Sequence, residues 1–296
     1  MTVSAAAPRA GSGRDVLRRF LGQSSAVVAL AVFAGFCLAA LFAPLFAPQN
    51  PYDLAQVDIL DSLLPPGSES FSGMTYWLGT DGQGRDMLSA ILYGIRISLL
   101  VGVLSGVLAL MLGTVIGLIA AFRRGWVDTV LMRVVDLQLS FPTILVALIL
   151  LVILGRGVDK IIFALVVVQW AYFARTVRGV ALVEGARDYV EAARGLRLGN
   201  TRILLGHILP NCLPTMLVVA TMQMAMAISL EATLSFLGLG LPPTRPSLGL
   251  LIANGFDYLQ SGRWWISVLP GLVLLAIIVS ANVLGDRLRD VLNPHL

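Results

Sequence analysis

The stretch YVEAARGLRLGNTRILLGHILPN, Tyr189 to Asn211, puts one glutamate, three arginines and a histidine into 23 residues between two long apolar runs. Its charges mark it as a segment in water, and the runs on either side mark the rest of the chain as something else. Of the 296 residues, 57% are hydrophobic and 13% charged, with a mean hydropathy of +0.85. That balance lies outside the range of soluble domains. A bilayer core about 30 Å thick takes roughly 20 apolar residues as a helix. No run of alternating ten-residue strand patterns suggests a barrel.

Working outward, six runs qualify as spans: Ser24–Ala47, Ile97–Phe122, Val127–Leu154, Ile161–Val180, Pro214–Leu239 and Trp264–Leu284. The sequence thus predicts an all-α integral membrane protein with six transmembrane helices. The organisation expected is an N-terminal segment over 1–23, a first helix over 24–47, a polar segment over 48–96 and a five-helix core over 97–296, interrupted by the charged loop at about 181–213. Basic residues before an apolar stretch also describe a signal peptide, but the first run exceeds the roughly 7–15 residues of a signal core, so it is read as an uncleaved helix.

Orientation follows from the arginines and lysine in the connections. Fourteen lie in the N-terminal head (Arg9, Arg14, Arg18, Arg19), at Arg123 and Arg124, between Arg175 and Arg202, and at Arg287 and Arg289. Six lie on the opposite side: Arg85, Arg96, Arg156, Lys160, Arg245 and Arg263. This predicts both termini and the Tyr189–Asn211 loop in the cytoplasm, with the 48–96 segment and the 240–263 loop outside. In the latter, three prolines and then about ten apolar residues, too few to span, predict a short helix dipping back from the outer face. Gly102, Gly106, Gly113 and Gly117 form two small-xxx-small pairs on the second span, a packing device in lipid.

Chemistry is scarce. The phosphate loop needs a lysine after a glycine, and the single lysine, Lys160, follows Asp159. Two histidines, His207 and His295, and two cysteines, Cys37 and Cys212, make no metal cluster or disulfide framework. The nucleophile elbow G-x-S-x-G is absent. Asp81–Asp86, "DGQGRD", has the look of a calcium loop, but its twelfth position is Leu92 where a bidentate glutamate is needed. The positive net charge belongs to the membrane topology, not to nucleic acid. No catalytic residue and no bound cofactor or metal is expected.

Ionisable residues in the spans include Asp128, Arg133, Asp136, Arg175 and Glu231. Arg133 and Asp136, three apart, are expected to pair on one helix face. Glu231 lies near the outer end of its helix, where a hydrogen bond to a neighbouring helix and a place in a pore or gate are equally open; Glu231, Ser235 and Asp136 are the candidate pathway or gate residues. A proton-coupled carrier usually has more carboxylates at mid-membrane, so an external power source is expected.

Within the opening stretch, Asp188 is expected to cap a helix over Tyr189–Leu196 with Glu191 at its third position. Val190, Ala193 and Arg197 would share one face, and Glu191 and Arg194 another. Gly199–Asn200 would turn the chain, Asn200 would cap a helix over Thr201–Leu209, and Pro210 would end it. Two readings compete: a basic helix lying on anionic lipid, or a rigid knob on which another protein docks.

The motif Glu191–Ala193, "EAA", followed by His207–Pro210, "HILP", resembles the cytoplasmic EAA loop of permease subunits of bacterial ABC importers. Phe42–Leu54, Trp77–Gly102, Gly125–Leu148, Leu230–Ile252 and Asn282–Pro294 are similar to the C-type permease of dipeptide and oligopeptide importers, from about Asp15 to Pro294. The resemblance implies the type I ABC importer permease fold in a bacterial inner membrane. It also implies a homologous second permease, two cytoplasmic ATPase subunits that use ATP and magnesium, and an extracytoplasmic peptide-binding protein. It further implies ATPase coupling through Asp188, Tyr189, Glu191, Ala192, Ala193, Gly195, Arg197, Gly199, Leu209 and Pro210. Glu191 would make the polar contact, with Ala192 and Ala193 as the close-packed surface. Nickel or another small solute is the alternative cargo within the resemblance, and a self-sufficient secondary carrier the alternative outside it. Two positions depart from the pattern: Arg197 stands where a glycine is usual, between Gly195 and Gly199, and His207 where an isoleucine is usual.

Overall fold

A computed structural model describes residues 13–53, 57–70 and 73–292, with the side chains of 13–16 left aside. Arg9, Leu54, Pro294 and His295 lie outside the described residues. A short helix α1 (Gly13–Leu21) leads into α2 (Ser24–Leu41) and a single turn, α3 (Ala43–Phe46). Pro44 sits in the first turn of α3, where its missing N–H removes no helical bond. After the small antiparallel pair β1 (Ser68–Glu69) and β2 (Thr75–Tyr76) come α4 (Met87–Arg123), α5 (Gly125–Ser140), α6 (Thr143–Leu154) and α7 (Val158–Glu184). They are followed by α8 (Asp188–Gly195), α9 (Asn200–Ile203), α10 (Leu209–Phe236), α11 (Leu248–Phe256) and α12 (Trp265–Leu292).

Among the described residues, five helical runs are long and apolar enough to cross a membrane: α2, α4, α7, the run Asn200–Phe236 and α12; the pair α5 and α6 makes a sixth if taken as one span. That third span, expected unbroken over Val127–Leu154, is bent by 89°. Pro142 explains the break. The residue before a proline is pushed out of the helical region, and Phe141 is extended at φ −88°, ψ 140°. α4 begins ten residues before the apolar run that predicted it, because the Asp86 carboxylate caps it, accepting from the Ser89 amide at 2.8 Å and the Ser89 hydroxyl at 2.6 Å. Its 37 residues, at 1.5 Å each, span about 55 Å, well beyond the bilayer core.

The glycines of α4 let it press on two neighbours. A Cβ at Gly113 would stand 2.5 Å from the Trp170 carbonyl oxygen, and one at Gly117 2.5 Å from that of Ala174, so this pair seats α4 on α7. Gly102 does the same against Ile228 of α10, while Gly106 faces open space. Further buried apolar groups join α4, α6, α7 and α10, and a second set joins α2, α4, α10, α11 and α12.

The short helix expected in the 240–263 loop is α11, capped by Ser247. The 48–86 segment is tied to the start of α12 and the loop before α11. Trp265 Nε1 donates to the Thr80 carbonyl at 3.2 Å, and Arg85 Nη1 donates to that of Pro243 at 3.0 Å. Where a calcium loop would hold its ion, Asp81 accepts from the amides of Gln83 and Arg85 and pairs with Arg85 Nε at 2.9 Å, both side chains 1% exposed. The loop is therefore closed on an internal guanidinium.

Candidate coupling surface and membrane cavity

α8 carries Asp188 and Glu191 in its first turn and Arg194 in its last, each sign at the helix end whose dipole it complements. The expected capping box does not form. Arg187 is the cap, with no side-chain bond, and its carbonyl accepts from the amides of Val190 and Glu191. Val190 and Ala193, 0% and 4% exposed, pack with Leu118, Val177, Ile203 and Ile208. Glu191, Ala192, Arg194, Gly195 and Leu196 are exposed. Ala193 therefore faces this chain's own core, and the free surface is that of Glu191 and Ala192.

The helix ends in a left-handed cap. Leu198 N–H donates to the Ala193 carbonyl at 3.2 Å and Arg197 N–H to that of Arg194 at 2.9 Å, the paired bonds of a Schellman ending. Such an ending needs one residue with positive φ, and here it is Arg197 at φ 55°. The usual glycine position keeps its backbone demand although an arginine fills it, and neither Gly195 nor Gly199 takes over the left-handed conformation.

Tyr189 braces this knob. Its hydroxyl donates to Glu184 Oε2 at 2.8 Å and accepts from Asn211 Nδ2 at 3.2 Å, linking α8 to the end of α7 and the start of α10. Burial, and then the Glu184 carboxylate, push its pKa up to about 12, so it stays a neutral donor. Gly199 rather than Asn200 is the N-cap of α9. Pro210, expected to end that helix, does not. Residues 204–208 form a π turn in which Leu209 N–H reaches back to the Leu204 carbonyl. The wider turn relieves the ring clash and lets Pro210 sit in the first turn of α10, where the N–H it lacks is not needed. Residues Asn200–Phe236 consequently run as one 37-residue unit from the α8 loop across the bundle.

That unit lines a cavity of about 380 Å³. Polar groups come from the α5–α6 break (Thr143), α7 (Gln169, Tyr172), α10 (Gln223, Ser229) and α12 (Asn282), among apolar and methionine side chains. The candidate pathway residues lie elsewhere. The Glu231 carboxylate is 0% exposed and accepts from Ser98 Oγ at 2.8 Å and Ser235 Oγ at 2.7 Å, locking α10 to α4. Of the two readings left open for it, the geometry favours the bond to a neighbouring helix. Asp136 pairs with Arg175 Nη2 at 2.5 Å, not with Arg133, and Asp128 makes a two-bond pair with Arg178 at 2.5 and 2.6 Å. Both acids of α5 thus bind across to α7, since the tertiary partner presents its guanidinium where the expected i,i+3 neighbour does not. Uncharged polar residues at membrane depth, Gln169, Gln223 and Asn282, were the available signal for the cavity; attention to ionisable groups alone passes over them.

An exposed short helix joined to membrane-length helices that line a polar cavity fits a permease subunit, a class of protein that moves solute. The chain belongs to the family of binding-protein-dependent transport system inner membrane components, whose model matches residues 113–296. Residues 12–66 match the N-terminal transmembrane domain of oligopeptide transport permease C. It is 40% identical over 278 residues to the dipeptide transport system permease protein DppC of Escherichia coli K12, covering 94% of this chain and 91% of the relative. It is 38% identical over 262 residues to the di/tripeptide transport system permease protein DppC of Pseudomonas aeruginosa, covering 88% and 84%. Among solved structures, the inward-facing MetNI methionine ABC transporter matches with a TM-score of 0.57 at 22% identity, covering 69% of this chain and 97% of the other, a likeness of fold. The chain is thus a multi-pass component of the inner membrane with the type I importer fold.

Proposed function

We propose that this chain is one of two permease subunits in an ATP-driven importer of dipeptides and short oligopeptides. It forms half of the pathway and performs no chemistry; two cytoplasmic ATPase subunits supply the energy, and an extracytoplasmic binding protein supplies the peptide. Both termini and α8 lie on the cytoplasmic side, as the arginine count favours.

The observation that carries the reading is the continuity between knob and cavity. The exposed Glu191–Ala192 surface of α8 is fixed to the bundle by Val190, Ala193 and Tyr189, and the chain leaves it directly into the helix that lines the cavity. A push on α8 by a closing ATPase pair passes through the capped turn at 196–199 into the helical run that carries Gln223 and Ser229. The names of the relatives support a peptide cargo. The described cavity lining also offers no imidazole, thiolate or carboxylate, the groups that bind nickel and similar ions. The test is uptake of labelled dipeptide into proteoliposomes holding the complete complex, with and without ATP and the binding protein. Uptake that needs both supports the reading.

A further inference from the structure

We infer that the mid-bundle cavity is a peptide subsite that reads the backbone amide of the cargo and not its side chains, with Gln169 Oε1 as the acceptor for a substrate N–H. The inference rests on the proposed peptide cargo. Gln169 is 1% exposed and lines the cavity. Its Nε2 donates to the Gln223 carbonyl at 3.0 Å, which fixes the amide plane. Its Oε1 is buried and has no donor among the described residues. A buried acceptor without a donor costs about 1–3 kcal/mol, and a ligand N–H that reaches Oε1 from the cavity by shifting a neighbouring side chain removes that cost.

The other polar groups complement this one. Tyr172 lies one turn further along α7, and Ser229 and Asn282 bring a hydroxyl and an amide from α10 and α12. Each can donate to a carbonyl. A peptide unit carries one donor and one acceptor, so an acceptor faced by donors matches it in kind. The described lining holds no ionised side chain. Fixed charges would sort cargoes by side-chain charge, whereas amides and hydroxyls bind what every peptide shares. About 380 Å³ falls within the roughly 300–1,000 Å³ of small-ligand pockets.

The test compares trialanine with trialanine N-methylated at its peptide bonds, measuring binding to the assembled complex in nanodiscs without the binding protein. Wild type should bind the methylated peptide about tenfold more weakly. Gln169→Leu should weaken trialanine and bind the two peptides equally. Equal discrimination by wild type and Gln169→Leu, or no trialanine binding to wild type, overturns the subsite. If the Gln169 variant fails to assemble, Asn282→Cys in a Cys37→Ser background replaces it. Trialanine should slow its modification by a thiol reagent, and an unchanged rate overturns the proposal. ATP-driven trialanine uptake by the wild-type complex is measured alongside. Its absence overturns the peptide cargo itself, whereas its presence without discrimination in the cavity overturns the subsite alone.

Discussion

The amide of Leu198 donates to the carbonyl of Ala193 at 3.2 Å, folding the chain back over the end of α8 with Arg197 at φ 55° between them. A left-handed conformation costs an L-residue with a side chain about 1–2 kcal/mol. Arg197→Gly removes that strain and is expected to firm the cap by about 1 kcal/mol, once the extra freedom of glycine in the unfolded chain is set against it. Hydrogen exchange at the Leu198 amide reads this directly: it should slow in the variant. Unchanged or faster exchange means the arginine side chain stabilises the turn in a way its backbone does not reveal.

Glu191 and Ala192 are exposed while Ala193 is buried, so neighbouring substitutions separate coupling from folding. Glu191→Ala and Ala192→Leu should leave the amount of inserted protein unchanged and lower ATP-driven uptake. Ala193→Asp should instead lower the amount of folded protein, because it buries an unpaired charge at a cost of several kcal/mol. Normal uptake by both surface variants in the assembled complex would remove the docking role from α8.

Glu231 is a brace between α4 and α10. Glu231→Leu leaves the hydroxyls of Ser98 and Ser235 without their partner and should destabilise the chain by about 1–3 kcal/mol. Glu231→Gln keeps an acceptor and should come close to wild type in thermal unfolding and in uptake. A glutamine variant of normal stability that no longer transports would return this residue to the pathway.

The glycines of α4 differ in what surrounds them. Gly113→Leu and Gly117→Leu drive side chains into the α7 backbone, and overpacking of this kind costs about 1–3 kcal/mol or more. Gly106→Ala meets open space and should be neutral or stabilising by up to about 1 kcal/mol. Thermal unfolding of the three purified variants checks the order.

The spans were legible because lipid imposes length and hydropathy, and α8 was legible because its charges interrupt them. The pair Phe141–Pro142 announced the break in the third span; the apolar run around it hid the signal. Pro210 misled in the opposite sense. A proline stops a helix only if the turn before it keeps α-helical spacing, and the π turn at 204–208 does not. The pairings of Asp136 and Gln169 were beyond reach for another reason. Their partners, Arg175 on α7 and the Gln223 carbonyl on α10, are set by which helices pack together, and no local pattern encodes that. At Arg197 the sequence showed a missing glycine, and only the backbone angle showed that the need for one had stayed in place.

The most direct measurement is dipeptide uptake into proteoliposomes containing this chain alone, and containing it with the second permease, the two ATPases and the binding protein. Uptake is predicted only in the complete assembly, only with ATP, and at a reduced rate with Glu191→Ala. Uptake by this chain alone down an ion gradient would contradict a permease driven through α8.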